Sequence, residues 1–274
     1  MNNKIINYVN GKYDGPENSL ITIYDPGFLN GYGVFDFLRT YNRKPFLLEE
    51  HLTRLFQSIR LSGINETFTM DEVREIIFKL LELNPEGELT FRIIITPGAE
   101  EQKSCIFIIV GEFLERSKDM YTNGVKLVVD DFQRSYPRIK SLNYFNFKFK
   151  KGFVKEKNAF SLLYIHNERV LECAQSNVFI VKNGKIITPI DDILLGVTRN
   201  KVLDLIRNSY GVEEREISYD ELQSADEVFI TATTQAVIPV VQIDNLVYSE
   251  GKPGKLTKEI IKIYGDFVSS VSAV

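Results

Sequence analysis

The chain has little of what builds metal centres and disulfide frameworks. Its 274 residues include two cysteines, Cys105 and Cys173, and two histidines, His51 and His166. Two distant cysteines make neither a disulfide scaffold nor a thiolate cluster, and two histidines do not support a histidine-rich metal site. An excess of basic charge is also missing. A net charge of −4 leaves no electrostatic footprint for nucleic acid. No apolar run is long enough to span a bilayer, and no cationic, apolar leader occupies residues 1–13. The expected address is therefore the cytoplasm, with neither membrane nor nucleic acid as a partner. Internal repeats and low-complexity segments are absent as well.

The composition that remains, 44% apolar and 26% charged, is ordinary for a globular protein. The length suffices for one or two domains. Residues 5–9 alternate and run into Asn10-Gly11, a hairpin signal. Residues 20–23 read as a second short strand, and Asp25-Pro26-Gly27 and Asn30-Gly31-Tyr32-Gly33 as a turn-rich loop. Residues 34–41 and 46–48 read as strands. Residues 49–61 have helical spacing, with Leu52, Leu55, Phe56 and Ile59 on one face and Gly63 as the stop. A second amphipathic helix covers 71–83, and apolar strands cover 89–95 and 105–110. The stretch 112–124 is polar and lacks periodicity. It places a boundary between an N-terminal domain over 1–117 and a C-terminal domain over 118–274. In the second domain, strands are expected at 125–129, 160–165, 177–181, 228–231 and 237–241. Helices are expected at 143–157, 197–208 and 256–268, and a tight turn at Asn183-Gly184.

Chemistry concentrates at Arg138-Ile139-Lys140-Ser141-Leu142-Asn143-Tyr144. Lys140 stands where an aromatic run of Tyr144, Phe145, Phe147 and Phe149 begins. Apolar surroundings disfavour an ammonium, which frees the amine as a nucleophile, as a Schiff-base lysine requires. A lone lysine is usually just solvated, so its company decides. The usual aldehyde partner is pyridoxal 5'-phosphate. That cofactor needs a lysine, an acid opposite its pyridine nitrogen and a phosphate cradle. Glu172, in Leu171-Glu172-Cys173-Ala174-Gln175-Ser176-Asn177, offers the acid and reads as part of a turn between apolar strands. Leu195-Gly196-Val197-Thr198-Arg199 offers the cradle, because the amides of Val197 and Thr198 open a helix. Simple capping is the plainer reading there. Thr231-Ala232-Thr233-Thr234 ends a strand and can add hydroxyls. Arg54 lies on its helix opposite much of the apolar stripe, where a surface ion pair is the common fate.

In this order and spacing the residues resemble the class IV, fold-type IV pyridoxal-phosphate aminotransferases. That family holds branched-chain aminotransferases, D-amino-acid aminotransferases and aminodeoxychorismate lyases. The resemblance covers nearly the whole chain. It runs from Asp25-Pro26-Gly27 and Gly33-Val34-Phe35-Asp36 through Glu50-His51-Leu52-Thr53-Arg54-Leu55 and Ile139-Lys140-Ser141-Leu142-Asn143. It then takes in residues 172–177, Gly196-Val197-Thr198-Arg199 and residues 231–241. It implies an α+β fold with a small α/β N-terminal domain, a larger barrel-like C-terminal domain and the cofactor between them. It also implies a homodimer with site residues crossing the interface. Lys140 resembles the lysine that forms the cofactor aldimine, and Glu172 the carboxylate on the pyridine nitrogen. Arg54 resembles the arginine on the phosphate, helped by Val197, Thr198 and Thr233, and Tyr144 the tyrosine on the phenolic oxygen. Phe35, Arg39, Arg92 and Thr234 fall on the substrate side, and either arginine can hold a substrate carboxylate.

The reaction this implies is transamination between an amino acid and a 2-oxo acid, with Lys140 moving the Cα proton and no metal involved. Tyr144, Phe35 and their apolar surroundings lean toward branched-chain L-amino acids. The segment Thr96-Pro97-Gly98-Ala99-Glu100-Glu101 departs from the Arg-Gly pair of D-amino-acid enzymes and many lyases. The stretch 145–155 is richer in phenylalanine and lysine than the family's small, apolar helix. Two alternatives stay open. One is a 4-amino-4-deoxychorismate lyase that releases pyruvate; the other is a non-catalytic cofactor-binding relative.

Overall fold

The computed structural model describes residues 5–99 and 103–272. Glu100 and Glu101, which carry the acidic departure in the sequence, lie outside the described residues. The contacts divide the chain into two compact units. One takes the described residues through Leu114 together with Ile139–Tyr144; the other takes Glu115–Arg138 and Phe145–Ser272. Each combines helices with a mostly antiparallel sheet, an α+β architecture.

The strands of the first unit are β1 (Asn7–Val9), β2 (Lys12–Asp14), β3 (Val34–Tyr41), β4 (Lys44–Pro45), β5 (Leu89–Thr96) and β6 (Cys105–Glu112). They form one six-stranded sheet in the order β2-β1-β6-β5-β3-β4. Asn10 and Gly11 both take positive φ (44° and 91°), the conformation a tight hairpin between β1 and β2 requires. One face of the sheet packs on the helices Leu48–Ser62 and Met70–Leu83. Val34, Leu38, Phe91 and Ile93 from the sheet meet Leu52, Leu55, Ile59, Ile77 and Leu80 from the helices in a core without solvent exposure. Gly63 ends the first helix in the left-handed conformation, and Thr69 with Glu72 forms a capping box on the second.

Two expected strands are corrected here. Residues 20–23 form no strand, and Leu20, Ile21 and Ile23 are exposed. An apolar pattern marks surface that avoids water without saying what covers it. The strand expected at 46–48 is instead β4, two residues earlier, because Leu48 already begins a helix.

The strands of the second unit are β7 (Val125–Asp131), β8 (Ser161–His166), β9 (Arg169–Cys173), β10 (Asn177–Lys182), β11 (Lys185–Thr188), β12 (Val212–Glu214), β13 (Glu227–Ala232), β14 (Ala236–Ile243) and β15 (Leu246–Val247). The sheet order is β12-β11-β10-β13-β14-β7-β8-β9, with β15 on β14. Strand β7 runs parallel to both of its neighbours. Leu127, Leu163, Val178, Ile180, Ile230 and Ile243 fill one core. On the other face of β10 and β13, Phe179 and Phe229 stack with centroids 4.6 Å apart, and the helices Val197–Ile206 and Lys255–Ser272 pack against β13. The helix expected over 143–157 is two short helices, Phe145–Phe149 and Lys151–Glu156. The joint is Lys150, whose amine is drawn to Asp130 at 3.1 Å. No helix among the described residues is long and apolar enough to cross a membrane.

Candidate active site

Lys140 belongs to the first unit because the segment Ile139–Tyr144 extends its sheet at the start of β3. Phe35 N donates to the Lys140 carbonyl at 2.9 Å, and Leu142 N donates to the Gly33 carbonyl at 3.0 Å. Lys140 N donates to Ser58 Oγ at 3.2 Å. The approach demands glycine at 33: a Cβ there would meet Leu142 Cδ1 at 2.7 Å and the Ile95 carbonyl oxygen at 2.9 Å. With its backbone fixed, Lys140 places Nζ 4.6 Å from the centroid of the buried Phe35 ring. Tyr144 packs edge-on against the same ring at 5.5 Å. The Phe35 ring is thus offered to the Lys140 amine, whereas Phe145 and Phe149 of the aromatic run are exposed.

Phe35 also has a guanidinium beside it. Arg92 Cζ lies 4.9 Å from the Phe35 centroid and 5.3 Å from that of Phe37, its partner across β3 and β5. Burial lowers the proton affinity of Arg92, though a guanidinium remains a cation. Among the described residues, no hydrogen bond or ion pair reaches Arg92. Arg39 is placed differently. It lies over the rings of Tyr41 (3.8 Å) and Phe113 (3.3 Å), and its Nε donates to the Thr40 carbonyl at 3.0 Å.

Arg54 is not a surface residue. Its side chain is 11% exposed, and Nε and Nη2 each donate at 2.8 Å to the two oxygens of Asp36. Asp36, on the helix-facing side of β3, has no exposure and also accepts from His51 Nδ1 at 2.7 Å. Burial pushes the Asp36 carboxyl up, but Arg54 and His51 outweigh it and hold the group well below the usual carboxylate range. Burial pushes His51 down, with Asp36 opposing in part. The bidentate grip fixes the plane of the Arg54 guanidinium.

In the second unit, Glu172 lies in β9 rather than in a turn. His166 pairs with Arg169 and Leu163 with Cys173 across β8 and β9. Arg169 and Glu172 break the apolar run that would have announced this strand. Glu172 is 5% exposed. Its Oε1 accepts from Arg134 Nε at 2.8 Å and its Oε2 from Leu194 N at 3.2 Å. Gly196 caps the Val197–Ile206 helix without a side-chain hydrogen bond, so no side chain occupies the first-turn amides from the cap. Asn177 Nδ2 donates to the Leu194 carbonyl at 2.7 Å, and a Cβ on Gly196 would meet Asn177 Oδ1 at 2.1 Å. Thr231 pairs with Asn177 across β10 and β13, and its buried Oγ1 has no hydrogen-bond partner among the described residues. Thr233 and Thr234 form the turn between β13 and β14, closed by Gln235 N donating to the Ala232 carbonyl at 3.1 Å.

These features suit a phosphate ester. Uncapped amides at a helix start attract an anion, and an orphaned buried hydroxyl is costly unless a ligand meets it. An amine and a buried acid, the side-chain types that pyridoxal phosphate needs, are present at Lys140 in the first unit and Glu172 in the second. The structure gathers Lys140, Tyr144, Phe35 and Arg92 about one ring, and places Arg54 on the helix whose Ser58 holds Lys140 N. Glu172, Val197, Thr198, Thr233 and Thr234 belong to the other unit. Sequence reasoning missed Asp36, His51 and Arg134 as participants. An acid at a core-facing position of β3 was the available signal for Asp36. Arg134 sits in an irregular segment and gave none.

The sequence profile of amino-transferase class IV matches residues 33–243. A D-alanine aminotransferase of Bacillus licheniformis is 34% identical over 266 residues, covering 92% of this chain and 93% of that one. A putative branched-chain-amino-acid aminotransferase of Methanocaldococcus jannaschii is 30% identical over 279 residues, covering 94% and 95%. The solved branched-chain aminotransferase of Thermoproteus uzoniensis, with norvaline, superposes with a TM-score of 0.88 at 22% identity, covering 97% of this chain and 95% of that one. The branched-chain amino acid aminotransferase of Escherichia coli gives 0.87 at 23% identity, covering 94% and 92%. These structures establish the shared fold, that of the fold-type IV aminotransferases. With the profile match and the sequence relatives, they show that this chain belongs to the class IV aminotransferases.

Proposed function

We propose that this enzyme moves an amino group between a branched-chain L-amino acid and a 2-oxo acid, with pyridoxal phosphate carried on Lys140. The observation that carries the substrate reading is Arg92, a partly buried cation that no hydrogen bond or ion pair reaches among the described residues, set against Phe35 and Phe37. A carboxylate on an apolar side chain satisfies both the charge and the rings. Arg39 is already engaged with Tyr41, Phe113 and a carbonyl. The bound cofactor supplies the electron sink that lets the Cα–H bond ionise. Lys140 would hold the cofactor through Nζ, and once the substrate amine takes its place the freed Nζ would be the base that moves the Cα proton. Glu172 carries the negative charge that holds a proton on the pyridine nitrogen. Arg54, the amides of Val197 and Thr198, and the hydroxyls of Thr231 and Thr233 bind the phosphate; Tyr144 meets the phenolic oxygen and Thr234 lines the substrate side. We place the enzyme in solution as a homodimer, because Leu20, Ile23, Tyr24, Phe28 and Leu29 crowd one short exposed stretch.

A second reading, D-alanine as donor, is favoured by the 34% identity to the Bacillus licheniformis enzyme. Against it stands Pro97-Gly98 where the family resemblance expects Arg-Gly in D-amino-acid enzymes. Steady-state rates with L-leucine, L-valine and D-alanine, each with 2-oxoglutarate, separate the two. We expect turnover of the branched L-amino acids. Arg92→Gln should raise KM about 10- to 100-fold, as losing a charge-assisted hydrogen bond does, while Arg39→Gln leaves KM for the carboxylate substrates near wild type. Turnover of D-alanine alone would transfer the assignment to the second reading. Pyruvate release from 4-amino-4-deoxychorismate without an oxo-acid acceptor would replace both with a lyase.

A further inference from the structure

Arg134 makes two contacts that bear on the chemistry. Its Nε donates to Glu172 Oε1 at 2.8 Å, and its Nη2 donates at 2.6 Å to the carbonyl of Pro137, three residues before Lys140 in the chain. The ion pair is shielded, with the Arg134 and Glu172 side chains 13% and 7% exposed. Leu194 N holds the other carboxylate oxygen, so Glu172 is gripped from two sides. Tyr164, Cys173 and Asp130 are ionisable neighbours of the pair. Burial, as the main cause, pushes the Tyr164 hydroxyl up to about 12, and burial pushes the Cys173 thiol up as well, so both stay neutral. Asp130 has the same sign as Glu172 and is itself engaged by Lys150 at 3.1 Å and Asn146 at 2.8 Å.

We propose that Arg134 is the positioning residue that keeps Glu172 ionised and aimed, so that the proton stays on the cofactor's pyridine nitrogen, while its grip on Pro137 steadies the chain leading to Lys140. The inference rests on the cofactor role proposed for Glu172. A buried carboxylate without its cation takes up a proton. A protonated Glu172 would donate to the ring nitrogen instead of stabilising its charge, and the electron sink would weaken. The planar guanidinium fork reaches both Glu172 and Pro137; an ammonium supplies charge without that geometry.

The test is nitrogen-15 NMR of the holoenzyme loaded with pyridoxal phosphate labelled at the pyridine nitrogen, alongside steady-state kinetics. Wild type should show the pyridinium position. Arg134→Gln should move the resonance toward neutral pyridine and lower kcat about 10- to 100-fold with KM nearly unchanged. Arg134→Lys should keep the pyridinium position and recover part of kcat. A pyridinium resonance and near wild-type kcat in Arg134→Gln would overturn the proposal. If that variant does not fold, a full wild-type kcat in Arg134→Lys, which lacks the fork that reaches both Glu172 and Pro137, would overturn it equally. If the wild-type protein binds no cofactor, the reading of Glu172 as a cofactor ligand fails by itself. Carbon-13 titration of the Glu172 carboxyl in that protein then decides the ion pair: a higher midpoint in Arg134→Gln supports it and an unchanged midpoint overturns it.

Discussion

Asp36 holds the Arg54 guanidinium and the His51 imidazole with one carboxylate that never meets solvent. Asp36→Asn keeps the shape and removes the charge that Arg54 needs, which should cost about 3–5 kcal/mol of stability. The pH dependence has a definite sign. Folding weakens proton binding at both Asp36 and His51. On acidification the unfolded chain therefore takes up protons first, and stability falls with falling pH. The His51 contribution should begin to drain below about pH 6.5, and that of Asp36 below about pH 4. Melting temperatures measured from pH 8 to 3 should fall in those two windows. Asp36→Asn should start lower and lose the second step, and a wild-type profile flat to pH 4 would contradict the argument.

Among the elements, the helix start at Gly196 is sensitive to a single change. A methyl group there collides with Asn177 Oδ1, and overpacking of this kind costs about 1–3 kcal/mol. Gly196→Ala should weaken pyridoxal phosphate binding about tenfold or more while far-ultraviolet circular dichroism stays native. Unchanged affinity would remove this helix from the phosphate site. Other elements show why the sequence was only partly legible. Strand β5 and the Leu48–Ser62 helix announce themselves because one face of each is buried in an apolar core, which imposes their periods of two and 3.6. Strand β9 does not, because Arg169 and Glu172 serve ion pairs rather than the core. Lys140, Glu172 and the Gly196 turn were legible as residue types at a spacing. The pairings that tune them, Asp36 with Arg54 and Arg134 with Glu172, join residues 18 and 38 positions apart. No local pattern encodes those distances.

For the whole molecule, the residues misread as a strand at 20–23 gain a different meaning. Leu20, Ile23, Tyr24, Phe28 and Leu29 are 59–72% exposed. Apolar area of this kind on one short stretch is characteristic of an interface rather than a free surface. Light scattering of the eluting protein should therefore give twice the mass of the chain. Leu29→Lys, which places a charge on the stretch, should shift the population toward the monomer. A wild-type protein that is monomeric at micromolar concentration would refute the homodimer.

The central claim is that Lys140 carries the cofactor, and it is tested most directly by reducing the pyridoxal-phosphate-loaded protein with borohydride and mapping its peptides by mass spectrometry. The account predicts one phosphopyridoxyl adduct, on the peptide containing Lys140, and no adduct in Lys140→Ala. An adduct on another lysine, or none in the wild type after cofactor has been removed and restored, would contradict it.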